Sequence, residues 1–440
     1  MNSMPVVWTG RRSLSLPMIA GMAPDHGTWR AADTLARSGK GGPGGGVVDG
    51  ESVLLWAEFS DGQRPPALPS VLLPHLVVAC SCSSNQFPCR HVLALLLLDW
   101  AAPTTAAGAP EWAATRLETG LRAARAGATP AGDETRPAAL AAGLDELARR
   151  LRDEVGHGLA GLAAGDRRPW LAAADRLNDA YAPAAARELR ALADLPGATP
   201  NWPEQLLPRL GRLMLLAEAF GRLDALSPGE RGDALAATGW PPRPGDDHVA
   251  DTWLALGRRP LGDGDQRGLR TWLRGLSSGR WALLEEFRPA RRPEGRCFPA
   301  GARLAGELAF LPSAWPLAAQ PVDGLRLLAE AGDSDPAGQS IAAAVAGYAA
   351  ARAANPWLTL FPMLLSDVLV EPAAGGWRLR DRHGRLLPLP ERFGHGWQLL
   401  ALAGDRPLTL FGEWDGAALT LLSARAAEGW RDLSAWKGLP

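Results

Sequence analysis

The chain has 440 residues, 47% of them hydrophobic and 21% charged, with a formal net charge of −1. That supplies ample material for apolar cores, and the charge balance gives no general electrostatic case for nucleic acid or an anionic membrane. Basic charge is almost all arginine, the only lysines being Lys40 and Lys437, so arginine richness is weak evidence for phosphate binding. Four cysteines in this length make no disulfide framework. Three of them crowd into CSCSSNQFPCRH, Cys80 to His91, which points to a reducing compartment and a metal.

Taken in chain order, residues 1–40 are mixed, with a short amphipathic stretch near Trp29–Ala36. Around Met18–Met22 there is no long apolar region and no small-residue cleavage site, so no signal peptide is read. GKGGPGGG (39–46) reads as a flexible break. It is no phosphate loop, because Lys40 lacks a following Ser or Thr and most of the glycines come after it. Val53–Phe59 and Val71–Ala79 read as strands. Pro88 suits the opening of a helix, where a missing N–H is unneeded, and that helix extends to about Trp100. Its apolar run, Val92–Leu98, is far too short to span a bilayer, and the protein is expected to be cytoplasmic with no membrane contact.

A short helix is expected around Trp112–Ala126 within a linker region, 103–136. From Pro137 to about Ser278 the pattern reads as helical: Leu144, Leu147, Leu151 and Val155 recur at spacings of three and four. Breaks at Pro183, Pro203 and Pro241-Pro242 mark turns. After Gly279 the pattern changes. Trp281–Phe287, Leu304–Leu311 and Leu317–Val322 look like strands, Leu325–Ala353 like one or two helices. Short runs then follow, including Trp397–Ala403, with turns at Gly375-Gly376, His383-Gly384 and Asp415-Gly416.

The spacing C-x-C-x6-C-x-H carries the chemistry. Residues i and i+2 of a strand face the same way, so Cys80 and Cys82 can reach one ion from a strand end. Positions i and i+2 of a helix diverge by about 200°. Cys89 must therefore sit at or before the first turn, with His91 reaching back from the helix proper. Three thiolates and one imidazole complete a tetrahedron around zinc. Catalytic zinc keeps an open position, and here all four are taken, so the ion is read as structural. C-x-C lacks the active-site turn of a C-x-x-C redox motif. The isolated Cys297 reads as a packing thiol, and Asp246-Asp247-His248 as a solvated turn. Of the eighteen tryptophans, Trp414, beside a turn, is the best candidate for exposure.

The pattern resembles the SWIM zinc finger, and CSCSSNQFPCRHVLALLLL looks like the bacterial SWIM zinc finger family in particular. Ala23-Pro24-Asp25, LNDAYAP (177–183), VADTWLALGR (249–258), LRTWL (269–273), SGRWAL (278–283) and LFGEWDG (410–416) resemble patches recurring along such proteins. The resemblance implies a ββα-like zinc module binding DNA or protein, with Cys80, Cys82, Cys89 and His91 as the ligands. It also implies work beside MoxR-type AAA+ ATPases and von Willebrand factor A-like proteins, and no catalytic residues. One departure stands out. Relatives often place Pro, Arg and Lys between the cysteine pairs, and this chain has Ser83-Ser84-Asn85-Gln86. The only formal charges from Val71 to Trp100 are Arg90 and Asp99, which lowers the case for DNA.

The expected architecture is α+β. It comprises a SWIM-type zinc-binding domain (1–102), the linker (103–136), a helical domain (137–278) and a mixed, β-rich antiparallel C-terminal domain (279–440). The expected function is non-enzymatic: an adaptor with one structural Zn2+ and a protein partner, or alternatively a DNA-binding protein.

Overall fold

The computed structural model describes residues 14–49, 51–62, 65–102, 109–125, 137–158, 166–198, 201–261, 266–289, 295–328, 335–404, 406–427 and 429–433. The fold is mixed α+β with antiparallel sheets.

Two helices open it, α1 (Leu16–Met22) and α2 (His26–Arg37). Asp25 caps the second, its carboxylate accepting the Thr28 N–H at 2.7 Å. Strands β1 (Gly41–Asp49), β2 (Ser52–Phe59), β3 (Ser70–Leu73) and β4 (Val77–Ala79) pair antiparallel in that order. The glycine run expected to be a flexible break is therefore mostly strand. A Cβ on Gly44 would lie 3.0 Å from the Trp56 carbonyl oxygen, so the missing side chains let β1 close onto β2. The single strand expected over Val71–Ala79 is a hairpin, turned at Pro74 and at Leu76, whose φ is 51°.

Alternation along β2 serves two cores. Val53, Leu55, Ala57 and Phe59 face one, Leu54 and Trp56 the other. The first is covered by α1, α2 and α3 (Arg90–Ala101). The second is covered by α4 (Glu111–Arg125), which contributes Ala113 and Leu117. Within α3 every residue from His91 to Leu97 is buried, so this helix has no polar face at its middle.

Five helices form the bundle: α5 (Pro137–His157), α6 (Arg168–Asp179), α7 (Pro183–Ala193), α8 (Trp202–Gly221) and α9 (Pro228–Thr238). Pro169, Pro183, Pro203 and Pro228 sit in first turns, where proline is pre-set for a helix. Leu144, Leu147, Leu177, Leu189, Leu206 and Leu213 are among the residues of its core. The buried Asp233 of α9 ties the bundle to the β region. It accepts from Ser313 Oγ at 2.6 Å, Ala314 N at 2.9 Å and Asn355 Nδ2 at 2.7 Å.

The helical reading of 137–278 holds only as far as Thr238. From His248 the chain enters a second sheet, ordered β10-β9-β5-β6-β7. Its strands are β5 (His248–Leu261), β6 (Gln266–Gly275), β7 (Trp281–Pro289), β9 (Arg303–Phe310) and β10 (Ala319–Pro321), and a short β11 (Arg326–Leu327) also pairs with β9. The reason is burial on both sides of β5. Trp253 and Ala255 face the core of the cysteine-bearing module, and Leu254 and Leu256 face the third sheet. Such a strand shows no apolar–polar alternation and cannot be told from a helix by period alone.

The third sheet is ordered β14-β13-β12-β15-β16-β17: β14 (Leu386–Pro388), β13 (Gly376–Asp381), β12 (Phe361–Ala373), β15 (Leu408–Trp414), β16 (Leu419–Ala426) and β17 (Gly429–Asp432). The three expected turns fall between its strands, with Gly375, Gly384 and Gly416 at positive φ. Helix α10 (Ile341–Ala354) occupies the end of the stretch expected to be helical from Leu325. Trp397–Ala403, expected among the strands, belongs to α11 (Gly396–Ala403), a run too short for period to decide.

Distant segments stitch these parts together. A short strand, β8 (Gly295–Arg296), pairs with β4 and completes the first sheet. Next to it, Cys297 donates its N–H to Leu76 O at 3.1 Å. Arg258 of β5 is 4% exposed and binds three separate segments. Its Nε donates to Asp432 Oδ2 at 3.0 Å, its Nη1 to Cys297 Sγ at 2.9 Å, and its Nη2 to the Gly21 carbonyl of α1. Removing one partner of a buried ion pair strands the other charge. Arg258→Ala is expected to lower unfolding free energy by about 3–5 kcal/mol in denaturant titration. An unchanged midpoint would show that the network contributes no net stability.

Candidate metal centre

Cys80 lies one residue past the end of β4 and Cys82 two further on. The chain then turns through Ser83–Pro88 to Cys89, which is the N-cap residue of α3 with extended backbone (φ −78°, ψ 168°). His91 is the second residue of that helix. This is the arrangement the spacing calls for: a strand end supplies two sulfurs, a helix start supplies one, and the imidazole reaches back. Pro88 precedes the cap rather than opening the helix, which begins at Arg90.

The four ligand atoms all lie within 4.8 Å of one another. His91 Nδ1 is 3.9 Å from both Cys80 Sγ and Cys89 Sγ. With zinc–sulfur bonds of about 2.3 Å and a zinc–nitrogen bond of about 2.0 Å, the edges of the tetrahedron are about 3.6–3.8 Å, so the donors are already near coordination geometry. The sulfurs border a small hollow together with Ser84, Gln86, Phe87 and Val92. Cys80, Cys89 and His91 are buried and Cys82 is half-buried. Among the described residues no other group of His, Cys, Asp and Glu is so placed.

The protonation chemistry of the set calls for a cation. Hydrogen bonds donated to Cys82 and then to Cys89, with burial, push the Cys80 thiol up. Hydrogen bonding from Cys80 and Cys89 instead lowers Cys82, against the opposing effect of burial. Three sulfurs this close cannot all ionise without a positive charge between them. Burial opposes protonation of His91, but the hydrogen bonds it donates to Cys82, Cys89 and Asp61 outweigh burial and raise the imidazole to about 10. A metal ion supplies the missing charge and displaces these protons. The residues fit one structural Zn2+: Cys80, Cys82, Cys89 and His91 fill its coordination sphere, and the ion would lock strand end to helix start.

One functional residue escaped the sequence reading. Asp61, in the turn after β2, places Oδ2 3.0 Å from His91 Nε2 and 2.5 Å from Arg90 Nη2. Its side chain is only 7% exposed. Burial alone would raise its carboxyl, yet His91 and Arg90 hold it below the usual range. Nothing local in an Asp-Gly turn announces a contact with a residue thirty positions away. The Phe59 ring packs against His91, centroids 5.9 Å apart.

The remaining candidates resolve into structural roles. Cys297 is buried against Arg258. Asp247 forms a two-pronged pair with Arg280 at 2.7 and 2.8 Å, and His248 lies 3.2 Å from Glu307. Trp414, the expected exposed tryptophan, is 7% exposed and packs edge-on against Tyr348. Among the described tryptophans the exposed one is Trp397, at 71%. No helix among the described residues is long and apolar enough to cross a membrane.

Cys80→Ser and Cys89→Ser are each expected to lower bound zinc from one equivalent to near none by elemental analysis, and to lower Tm. Cys297→Ser should leave zinc content unchanged. Because uptake displaces thiol and imidazole protons, zinc affinity should fall as pH falls, and loading near neutral pH should release protons measurable in weakly buffered solution. Full zinc content in the Cys80 and Cys89 variants would refute the ligand assignment.

No curated protein and no solved structure matches the chain. Two family models do. Residues 78–98 match the SWIM zinc finger, and residues 135–237 match the SWIM-associated four-helix bundle domain. The finger match spans all four ligands, and the bundle match spans α5 and nearly all of α9. A SWIM finger is a zinc-binding module of protein or DNA interaction. Together with the Cys3His geometry, the two matches place a SWIM zinc finger at residues 78–98 and a SWIM-associated four-helix bundle domain at residues 135–237 of this chain.

Proposed function

We propose that this protein is a non-catalytic, cytoplasmic adaptor whose zinc finger shapes a surface for a protein partner, in an assembly with a MoxR-type AAA+ ATPase or a von Willebrand factor A-like protein. The observation that carries the preference for protein over DNA is the pairing of Arg90 with Asp61 at 2.5 Å. Arg90 is the only Lys or Arg between Val71 and Trp100, and a phosphate would have to compete with a carboxylate already seated on it. Ser81 and Ser83–Gln86 are exposed and uncharged. Such side chains hydrogen-bond well but supply none of the counterion release that drives association with duplex DNA. A Cys3His zinc centre adds a net negative charge beneath that surface.

DNA binding through the same polar loop is the competing reading, because Ser, Asn and Gln can also meet phosphates and base edges. Zinc-loaded full-length protein should show no steep salt dependence of duplex binding between about 50 and 200 mM salt. It should bind a purified MoxR-type ATPase or von Willebrand factor A-like protein from the same genome in calorimetry, and lose that binding on chelation. Salt-sensitive DNA binding abolished by Arg90→Ala, with neither protein bound, would overturn the adaptor reading in favour of DNA.

A further inference from the structure

We propose that Asp61 is the positioning residue of the zinc site: it fixes which nitrogen of His91 meets the metal, and Arg90 fixes Asp61. The inference rests on the ligand assignment above and is independent of the partner. An ionised carboxylate only accepts hydrogen bonds, so the 3.0 Å contact from His91 Nε2 to Asp61 Oδ2 places the ring proton on Nε2. In the neutral imidazole that leaves Nδ1 bare, and Nδ1 is the atom 3.9 Å from Cys80 Sγ and Cys89 Sγ. The imidazole is 1% exposed, so bulk water does not compete with Asp61 for its ring proton. The Phe59 ring on one side limits the other orientations open to the imidazole.

Arg90 completes the device. Its Nη2 donates to the same Oδ2 oxygen that receives the His91 proton. Arg90 and His91 are neighbours at the start of α3, and Asp61 comes from the turn after β2. One carboxylate therefore ties the first hairpin to the helix end that carries two of the four ligands. An acceptor on the far nitrogen of a metal-binding histidine sets its tautomer and raises its basicity.

The test uses full-length, zinc-loaded protein. In the parent chain, nitrogen-15 spectra of His91 should show Nδ1 coordinated and the proton on Nε2; coordination through Nε2 would overturn the proposal without any mutation. Asp61→Ala should weaken zinc binding about 10–100-fold in competition with a chromophoric chelator. Asp61→Asn keeps an oxygen acceptor but no charge, and should stay within about 3-fold of the parent. Parent-like affinity in Asp61→Ala, or equal loss in both variants, would sink the positioning role, the latter pointing to charge alone. Should Asp61→Ala not fold, Asp61→Asn and the parent spectrum still decide. Absence of zinc from the parent would instead refute the site itself.

Discussion

The structure depends on holding one end of a helix that has no wet side. From His91 to Leu97 every residue of α3 is buried, between α1 and α2 on one flank and the first sheet on the other. Fully burying each Val or Leu is worth about 1.5–3 kcal/mol, but only when the helix sits in one register. An all-round apolar helix carries little patterning to choose that register, because no polar stripe must face water. Cys89 makes no side-chain cap bond to the helix, so its sulfur is not engaged with the first-turn amides. The cluster settles the question instead. Coordination fixes the helix start relative to the end of β4, and the apolar side chains then have one set of neighbours.

That end is wired into more than its own hairpin. The core containing Cys80 and Cys89 is continuous with Trp253, Leu273, Phe298 and Phe310 of the second sheet and its connections. The first sheet is completed by β8, and Arg258 joins α1, Cys297 and β17. The second sheet in turn shares Leu254, Leu256 and Trp272 with Phe411 and Leu422 of the third. A Cβ on Gly257 would fall 2.6 Å from the Leu422 Cβ, which shows how closely those sheets approach. Metal binding thus stabilises a core that spans residues far from the finger in sequence. The first sheet itself is completed by a segment more than two hundred residues away, β8 pairing with β4.

The limits of the sequence reading follow from the same physics. The ligands were legible because coordination imposes a spacing: two residues on a strand end, two at a helix start. The three C-terminal turns were legible because glycine at positive φ leaves a local mark. β5 was misread because a strand buried on both faces loses its alternation, and β1 because pairing with β2 overrides what a glycine run prefers alone. Trp414 beside a turn looked exposed, yet Tyr348 from α10 covers it; Trp397 lies in a run that reads as strand and stands in water on a short helix. Asp61 was invisible, since its role exists only once the chain folds back onto His91.

Charge placement bears most directly on function. The chain is rich in arginine, but many of the described arginines of the bundle surface face carboxylates: Arg209 and Arg212 meet Glu188, Arg190 meets Asp175, Arg176 meets Glu146, and Arg167 meets Asp194. Exposed pairs of this kind add little stability. Their consequence is electrostatic: they remove the one-signed fields that steer polyanions. The finger repeats the pattern at its most sensitive point, where Arg90 is held by the carboxylate that also holds His91. A polyanion approaching the finger meets a neutral polar loop over a negatively charged zinc centre. Recognition by such a surface rests on shape and hydrogen bonding rather than on long-range attraction between opposite charges.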